Sequence, residues 1–178
     1  EAAYLTIPLA LPPATLGRIF WDEEKIGDPL RSQAVVRVQT GLNAEPLVLF
    51  RVDDFENEVE WKRDEEGGAF VIDRRPGSQT FEQEVDLNSA QFNLDAREIF
   101  SALSDDERAA VRLTRAEYQS LPGNQRRQTE ADPVFWSGFQ PVESGELISS
   151  PSGRPFIQIE IDFLSDDPDA ATVIRNLR

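Results

Sequence analysis

Apolar and polar residues alternate with period two over much of this chain, the pattern of strands that cover one face and wet the other. The clearest run is FIQIEIDFL, residues 156–164. As a strand it sets Ile157, Ile159, Ile161 and Phe163 on one side and Gln158, Glu160 and Asp162 on the other. Residues 31–40 repeat the pattern with Ala34, Val36 and Val38. Residues 54–62 do so with Phe55, Val59 and Trp61 against Glu56, Glu58 and Glu60. Residues 80–87 set Phe81, Val85 and Leu87 against Glu82, Glu84 and Asp86. Residues 47–52, LVLFRV, are apolar enough for a strand buried on both faces. Shorter strands are predicted at residues 69–73 and 134–140, and residues 170–177 read as a last short helix or strand. Turns fall at residues 41–46, 64–68, 74–78 and 143–154, and a surface loop at 124–132.

The period changes between residues 95 and 121, which read as three short helices. Asp95 with Glu98, Ser104 with Glu107, and Thr114 with Glu117 each fit a capping box. In that box the first side chain accepts a free backbone N–H, and Glu three places on reaches back. Ile99, Phe100 and Leu103, then Ala110, Val111 and Leu113, then Tyr118 and Leu121 form the apolar sides, and Pro122-Gly123 ends the run.

Eight to ten short strands around one helical insertion predict a mainly β fold. The expectation is an antiparallel β-sandwich or jelly roll in one domain, residues 1–178, with an apolar N-terminal arm at 1–16 and the insertion at 95–121. The alternative is an α+β domain with the helices packed on one sheet face.

Composition narrows the chemistry. The chain carries 33 Asp and Glu against 18 Lys and Arg, a net charge of −15, which repels phosphate backbones and anionic lipid. Direct nucleic-acid binding is therefore not expected. Only Lys25 and Lys62 are lysines, a bias expected of a salt-adapted source or a GC-rich genome. There is no His, Cys or Met, which removes the usual general base, the Ser-His-Asp triad, disulfides and thiolate metal sites. No run is long enough to span a membrane. The apolar stretch at residues 4–13 is broken by Pro8, Pro12 and Pro13 and lacks the basic flank of a signal peptide, although one already removed is compatible with the sequence.

Four features carry candidate chemistry. The carboxylate pairs Glu58/Glu60, Glu82/Glu84 and Glu160/Asp162 have a spacing that permits glycoside hydrolysis. An exposed row of like charges gives no sheltered acid, so they read as a solvated face. Asp166, Asp167 and Asp169 offer oxygens to a hard cation such as Ca²⁺ but lack the full loop pattern, and they read as an acidic turn and helix start. Between residues 95 and 127 six Arg face six acids. Arg97, Arg108, Arg112 and Arg115 are candidates for an acidic neighbour, with local pairing, such as Asp105 with Arg108, as the plain reading. Of Trp21, Trp61 and Trp136, Trp61 reads as core and Trp136, between Phe135 and Phe139, as the best exposed platform for a sugar ring.

No phosphate-binding loop, nucleophile motif or cofactor fingerprint is present. The sequence thus points to a non-catalytic structural or assembly protein, most concretely a single jelly-roll capsid-type subunit, found in a virion or outside cells. Its partners would be further copies or related subunits, met through Tyr4, Leu5, Ile7, Leu9 and the helical arginines. The alternatives are a secreted carbohydrate-binding accessory domain and, less favoured, a hydrolase with paired acids.

Overall fold

A computed structural model describes residues 2–12, 16–63 and 68–178. Its strands are β1 (Ala2–Leu5), β2 (Leu9–Ala10), β3 (Asp22–Ile26), β4 (Ser32–Gly41), β5 (Leu47–Val48), β6 (Arg51–Val52), β7 (Glu58–Val59), β8 (Phe70–Ile72), β9 (Glu84–Asp86), β10 (Glu130–Ala131), β11 (Gln140–Val142), β12 (Phe156–Ser165) and β13 (Ala171–Arg175). The helices are α1 (Ala96–Ser101), α2 (Asp105–Val111) and α3 (Arg115–Ser120). Strand outweighs helix, 35% to 15%, and the sheets are antiparallel, so the fold is mainly β. The chain divides into two compact units, Glu1–Pro46 with Ala131–Arg178, and Leu47–Glu130.

The first unit is built on β4 and β12, which pair over ten residues from Gly41↔Phe156 to Ser32↔Ser165. The sheet order is β1-β12-β4-β11, and β2 continues beside β12 where β1 ends. Directly opposed residues share a face. Val36 with Ile161 and Val38 with Ile159 therefore lie together, and with Ile19, Val142 and Ile157 they form a buried cluster. Trp21, Ile174 and Leu177, in and beside the β3–β13 ribbon, pack against it. Each buried aliphatic side chain contributes roughly 1.5–3 kcal/mol relative to exposure.

The strand expected at residues 134–140 is interrupted. The Asp132 carboxylate accepts the N–H groups of Val134 (3.0 Å) and Phe135 (3.2 Å), which curls residues 133–135; Trp136 makes a single antiparallel bridge to Gly41, and a regular strand begins only at Gln140. Residues 170–177 resolve as the strand β13.

In the second unit the apolar side chains predicted for the strands and helices do meet. Val59, Trp61, Val71, Val85 and Leu87 form one buried cluster with Ala96, Ile99, Phe100, Leu103 and Val111. The helices are thus part of this unit's own core. Ser104 and Thr114 form complete capping boxes with Glu107 and Glu117. Asp95 does not: it has helical backbone angles and no side-chain cap hydrogen bond, and its carboxylate lies 3.7 Å from Arg75 instead.

Three predicted strands are cut short here. Residues 47–52 split into β5 and β6. In residues 54–62 the Asp53 carboxylate accepts the N–H groups of Phe55 and Asn57, both at 2.8 Å, and Glu56 turns to φ 65°. Only Glu58 and Val59 remain as strand, and Phe55 is exposed. In residues 80–87 the loop before β9 curls around Asp73, Glu82 takes φ 59°, and Phe81 is exposed. The turn expected at 64–68 lies outside the described residues except for Gly68, as do residues 13–15 of the arm.

Candidate functional site

The arm residues line the edge of the first unit's sheet. β1 pairs with β12 in the register Tyr4↔Ile161 and Leu5↔Glu160. Thr6 extends the pairing: its N–H donates to Ile159 O (3.0 Å), its hydroxyl accepts Ile159 N–H (3.0 Å), and its carbonyl accepts Gln158 Nε2 (2.7 Å). Leu11 N–H donates to Pro155 O at 2.7 Å. Backbone thus ties the arm down while its side chains stay out: Tyr4, Leu5, Ile7 and Leu9 are 56, 53, 77 and 42% exposed.

One strand inward lies the acidic row. Gln158 is not on a wet face as expected: it is buried, held by Thr6 and by Gln39 Nε2 at 2.7 Å. Glu160 and Asp162 are half-buried and share Arg37, opposite Glu160 on β4; Arg37 Nη1 donates to Glu160 at 3.1 Å and also to Asp162. These two hydrogen bonds, Glu160's first, raise the Arg37 pKa above the ordinary arginine value. The carboxylates are a clamp on one cation.

The second unit carries a groove of about 310 Å³ lined by Phe50, Glu58, Glu60, Trp61, Arg97 and Phe100, with Val59 and Ser101. Alternation on and after β7 brings Glu58 and Glu60 to it, and α1 supplies Arg97 and Phe100. This is the one expected carboxylate pair found beside aromatic rings. Glu58 pairs with Arg127 at 3.1 Å, and Arg97 Nη2 donates to the Glu58 carbonyl at 2.8 Å. Glu60 pairs with Arg112 at 2.9 Å. A paired-acid hydrolase needs one carboxyl free to carry a proton to the leaving group, and both are engaged by guanidinium groups. Glu82 and Glu84 are separated by the turn at Glu82 and form no such pair.

Of the helical arginines, Arg108 and Arg112 are half-buried and Arg97 and Arg115 exposed. Arg108 pairs with Asp105, as the spacing implied. Arg112 holds the Glu60 carboxylate, Arg97 holds the Glu58 carbonyl, and Arg115 opens α3. Glu107 pairs with Arg74 at 2.7 Å. That contact, with the Ser104 N–H, lowers the Glu107 pKa to about 2.

Trp136 is not the exposed platform expected. It is 3% exposed, and its Nε1 donates to Asn43 Oδ1 (3.2 Å) and Glu45 O (3.0 Å). Its indole lies against Gly41, where a Cβ would overlap the ring, so only glycine fits. The acidic turn at residues 166–169 leads into β13 and not into a helix: Arg31 Nε donates to Asp166 (3.0 Å) and Asp167 Oδ1 accepts Asp169 N–H (3.0 Å). Among the described residues no cluster of His, Cys, Asp or Glu is arranged to hold a metal ion. Nor is any helix among them long and apolar enough to cross a membrane.

Two buried polar centres escaped the periodicity argument. Asp73 is fully buried and accepts from Arg75 Nε (3.1 Å) and Nη2 (3.0 Å), Ser78 Oγ (2.8 Å) and Thr80 Oγ1 (2.7 Å). The Arg75 guanidinium first, with Thr80 and Ser78, outweighs burial and holds the Asp73 carboxyl well below the usual carboxylate range. Arg51, also buried, donates to Trp61 O (2.7 Å), Lys62 O (3.1 Å) and Asn88 Oδ1 (2.6 Å). The signal for the first was Asp73 followed at short range by Arg75, Ser78 and Thr80; for the second, a lone Arg in an apolar run.

Compared with protein-family models, with curated proteins and with solved structures, the chain matches none.

Proposed function

We propose that this protein is a non-catalytic structural subunit that assembles with copies of itself or with related subunits. The observation that carries the reading is the arm. Residues 2–17 hold no charged side chain in a chain of net charge −15, and among them Tyr4, Leu5, Ile7 and Leu9 stand in solvent along a sheet edge. Two such molecules repel over most of their surface, and the arm is where they approach without bringing carboxylates together. Salt screens the remaining repulsion. The most concrete form is a capsid-type subunit from a salt-adapted or GC-rich source, acting in a virion or outside cells. Packing of the β3–β13 ribbon residues on the apolar sheet face supports a sandwich as the finer architecture.

The test is mass by light scattering in molar salt. Assemblies well above 20.1 kDa are expected, and Ile7→Asp should reduce them to single chains. A protein that stays at one chain mass at high concentration in molar salt overturns the proposal.

A second reading is supported by the groove in the second unit, whose polar rim of Glu58, Glu60, Arg97 and Ser101 beside Phe50 suits a glycan. Glycan-array binding that disappears on Arg97→Ala would favour it over assembly; no binding by the parent protein would remove it.

A further inference from the structure

We infer, resting on the assembly reading, that the contact between copies is an antiparallel pairing of β1 with β1 of a second copy, centred on Tyr4. The backbone supplies the first argument. Thr6 and Ile159 are a hydrogen-bonded pair, and Tyr4↔Ile161 lies two residues along the same register. By the alternation of an antiparallel ladder, Thr6, Tyr4 and Ala2 turn their backbone groups to β12, while Ala3 and Leu5 turn theirs outward. Among the described residues no strand pairs with that outer side. A sheet edge with free N–H and C=O groups is a template for another strand.

The two edges of this sheet differ. β11, at the far edge, is three residues long with Pro141 at its centre, and Glu143 follows it. Proline and charge blunt an edge. β1 has no proline and no charge within it, though Glu1 precedes it in sequence, and the apolar side chains of Tyr4 and Leu5 stand out from its two faces.

Charge selects a second copy as the occupant. Among the described residues the carboxylates on the neighbouring strand, Glu160 and Asp162, sit one strand in and share Arg37. If two β1 strands pair, the two β12 strands lie three strand spacings apart, about 14 Å. The Debye length is about 8 Å at physiological salt and about 3 Å at 1 M, so repulsion across that gap fades as salt rises.

The register follows. Pairing Ala3 with the partner's Leu5, and Leu5 with the partner's Ala3, uses all the outward groups and places Tyr4 opposite the partner's Tyr4. That pair is of the non-hydrogen-bonded kind, with Cα atoms about 4.5 Å apart. The ring pair then covers side chains that are more than half exposed in the single chain.

The chain has no cysteine, so a single Tyr4→Cys reports the register directly: about 4.5 Å between Cα atoms allows a disulfide. In molar salt, Tyr4→Cys should oxidise to a covalent dimer, whereas Ile7→Cys should cross-link much less. Ala3→Pro removes an outward N–H and leaves the β12 ladder whole, so it should weaken association roughly tenfold or more, with Ala3→Val as the control that keeps the N–H. Amide exchange at Ala3 and Leu5 should slow on association. Assembly that persists in Ala3→Pro, with unchanged exchange at both amides and no preference for the Tyr4→Cys cross-link, overturns the edge pairing and leaves the assembly reading standing. A parent protein that remains a single chain in molar salt overturns both.

Discussion

In the first unit β4 and β12 run side by side for ten residues, and their buried apolar side chains, Val36, Val38, Ile157, Ile159 and Ile161, follow from alternation, while Gln39 and Gln158 are buried against it. Among the described residues of the second unit no strand exceeds three residues. Its turns and its two buried polar centres are fixed by single side chains: Asp53 and Asp73, which accept backbone and hydroxyl donors, and Arg51, which donates to backbone carbonyls. One unit is specified by a repeating pattern, the other by a few individual polar groups. A pattern degrades gradually when one position changes. A polar centre fails at once, because its partners are left buried and unsatisfied.

Substitutions can sharpen or break this contrast. The largest effect is expected from Ile161→Ala in the first unit, about 3–4 kcal/mol from lost burial and the cavity left behind, read as a lower urea midpoint. Arg51→Met should cost the second unit about 3 kcal/mol, since the carbonyl of buried Trp61, the Lys62 carbonyl and Asn88 Oδ1 each lose a charged donor. Faster amide exchange should then be confined to residues of that unit. If Arg51→Met proves as mild as a surface change, the polar-centre account of the second unit fails.

Asp73→Asn should cost about 2 kcal/mol at neutral pH and also change the acid response. The folded-state values of Asp73 and Glu107 lie below the ordinary 3.8 and 4.5. The unfolded chain therefore binds more protons in acid, and the stability these groups contribute is present above about pH 4.5 and lost as pH falls toward 2. Asp73→Asn should flatten that fall, measured as urea midpoints against pH. An unchanged slope would remove Asp73 from the explanation. Smallest are the caps: Ser104→Ala should cost about 1 kcal/mol and Asp95→Ala under about 0.5 by the same titration, because only Ser104 caps its helix.

How much was legible in the sequence follows the same division. β4, β12, the three helices and two of three capping boxes could be read, because each is local and periodic. The truncation at Asp53, Asp73 and Asp132 could not be read from period two, since alternation continues through residues whose N–H a nearby carboxylate has captured. Trp136 was misplaced for another reason: its cover is Gly41, Asn43 and Glu45, more than 90 residues away in the chain. The exposed arm was legible as apolar, but its tie to β12 was not, and that tie makes Tyr4, Leu5, Ile7 and Leu9 an ordered edge.

The buried indole on Gly41 has a practical use. Trp136 belongs to the first unit and Trp61, its Nε1 on Asn88 at 3.2 Å, to the second; both are dry. Only half-buried Trp21 adds a third emitter. In a Trp21→Phe background each unit keeps one tryptophan, which can be excited apart from Tyr4 and Tyr118. Water reaching either ring shifts its emission to the red, so the protein carries a separate optical gauge for the opening of each half.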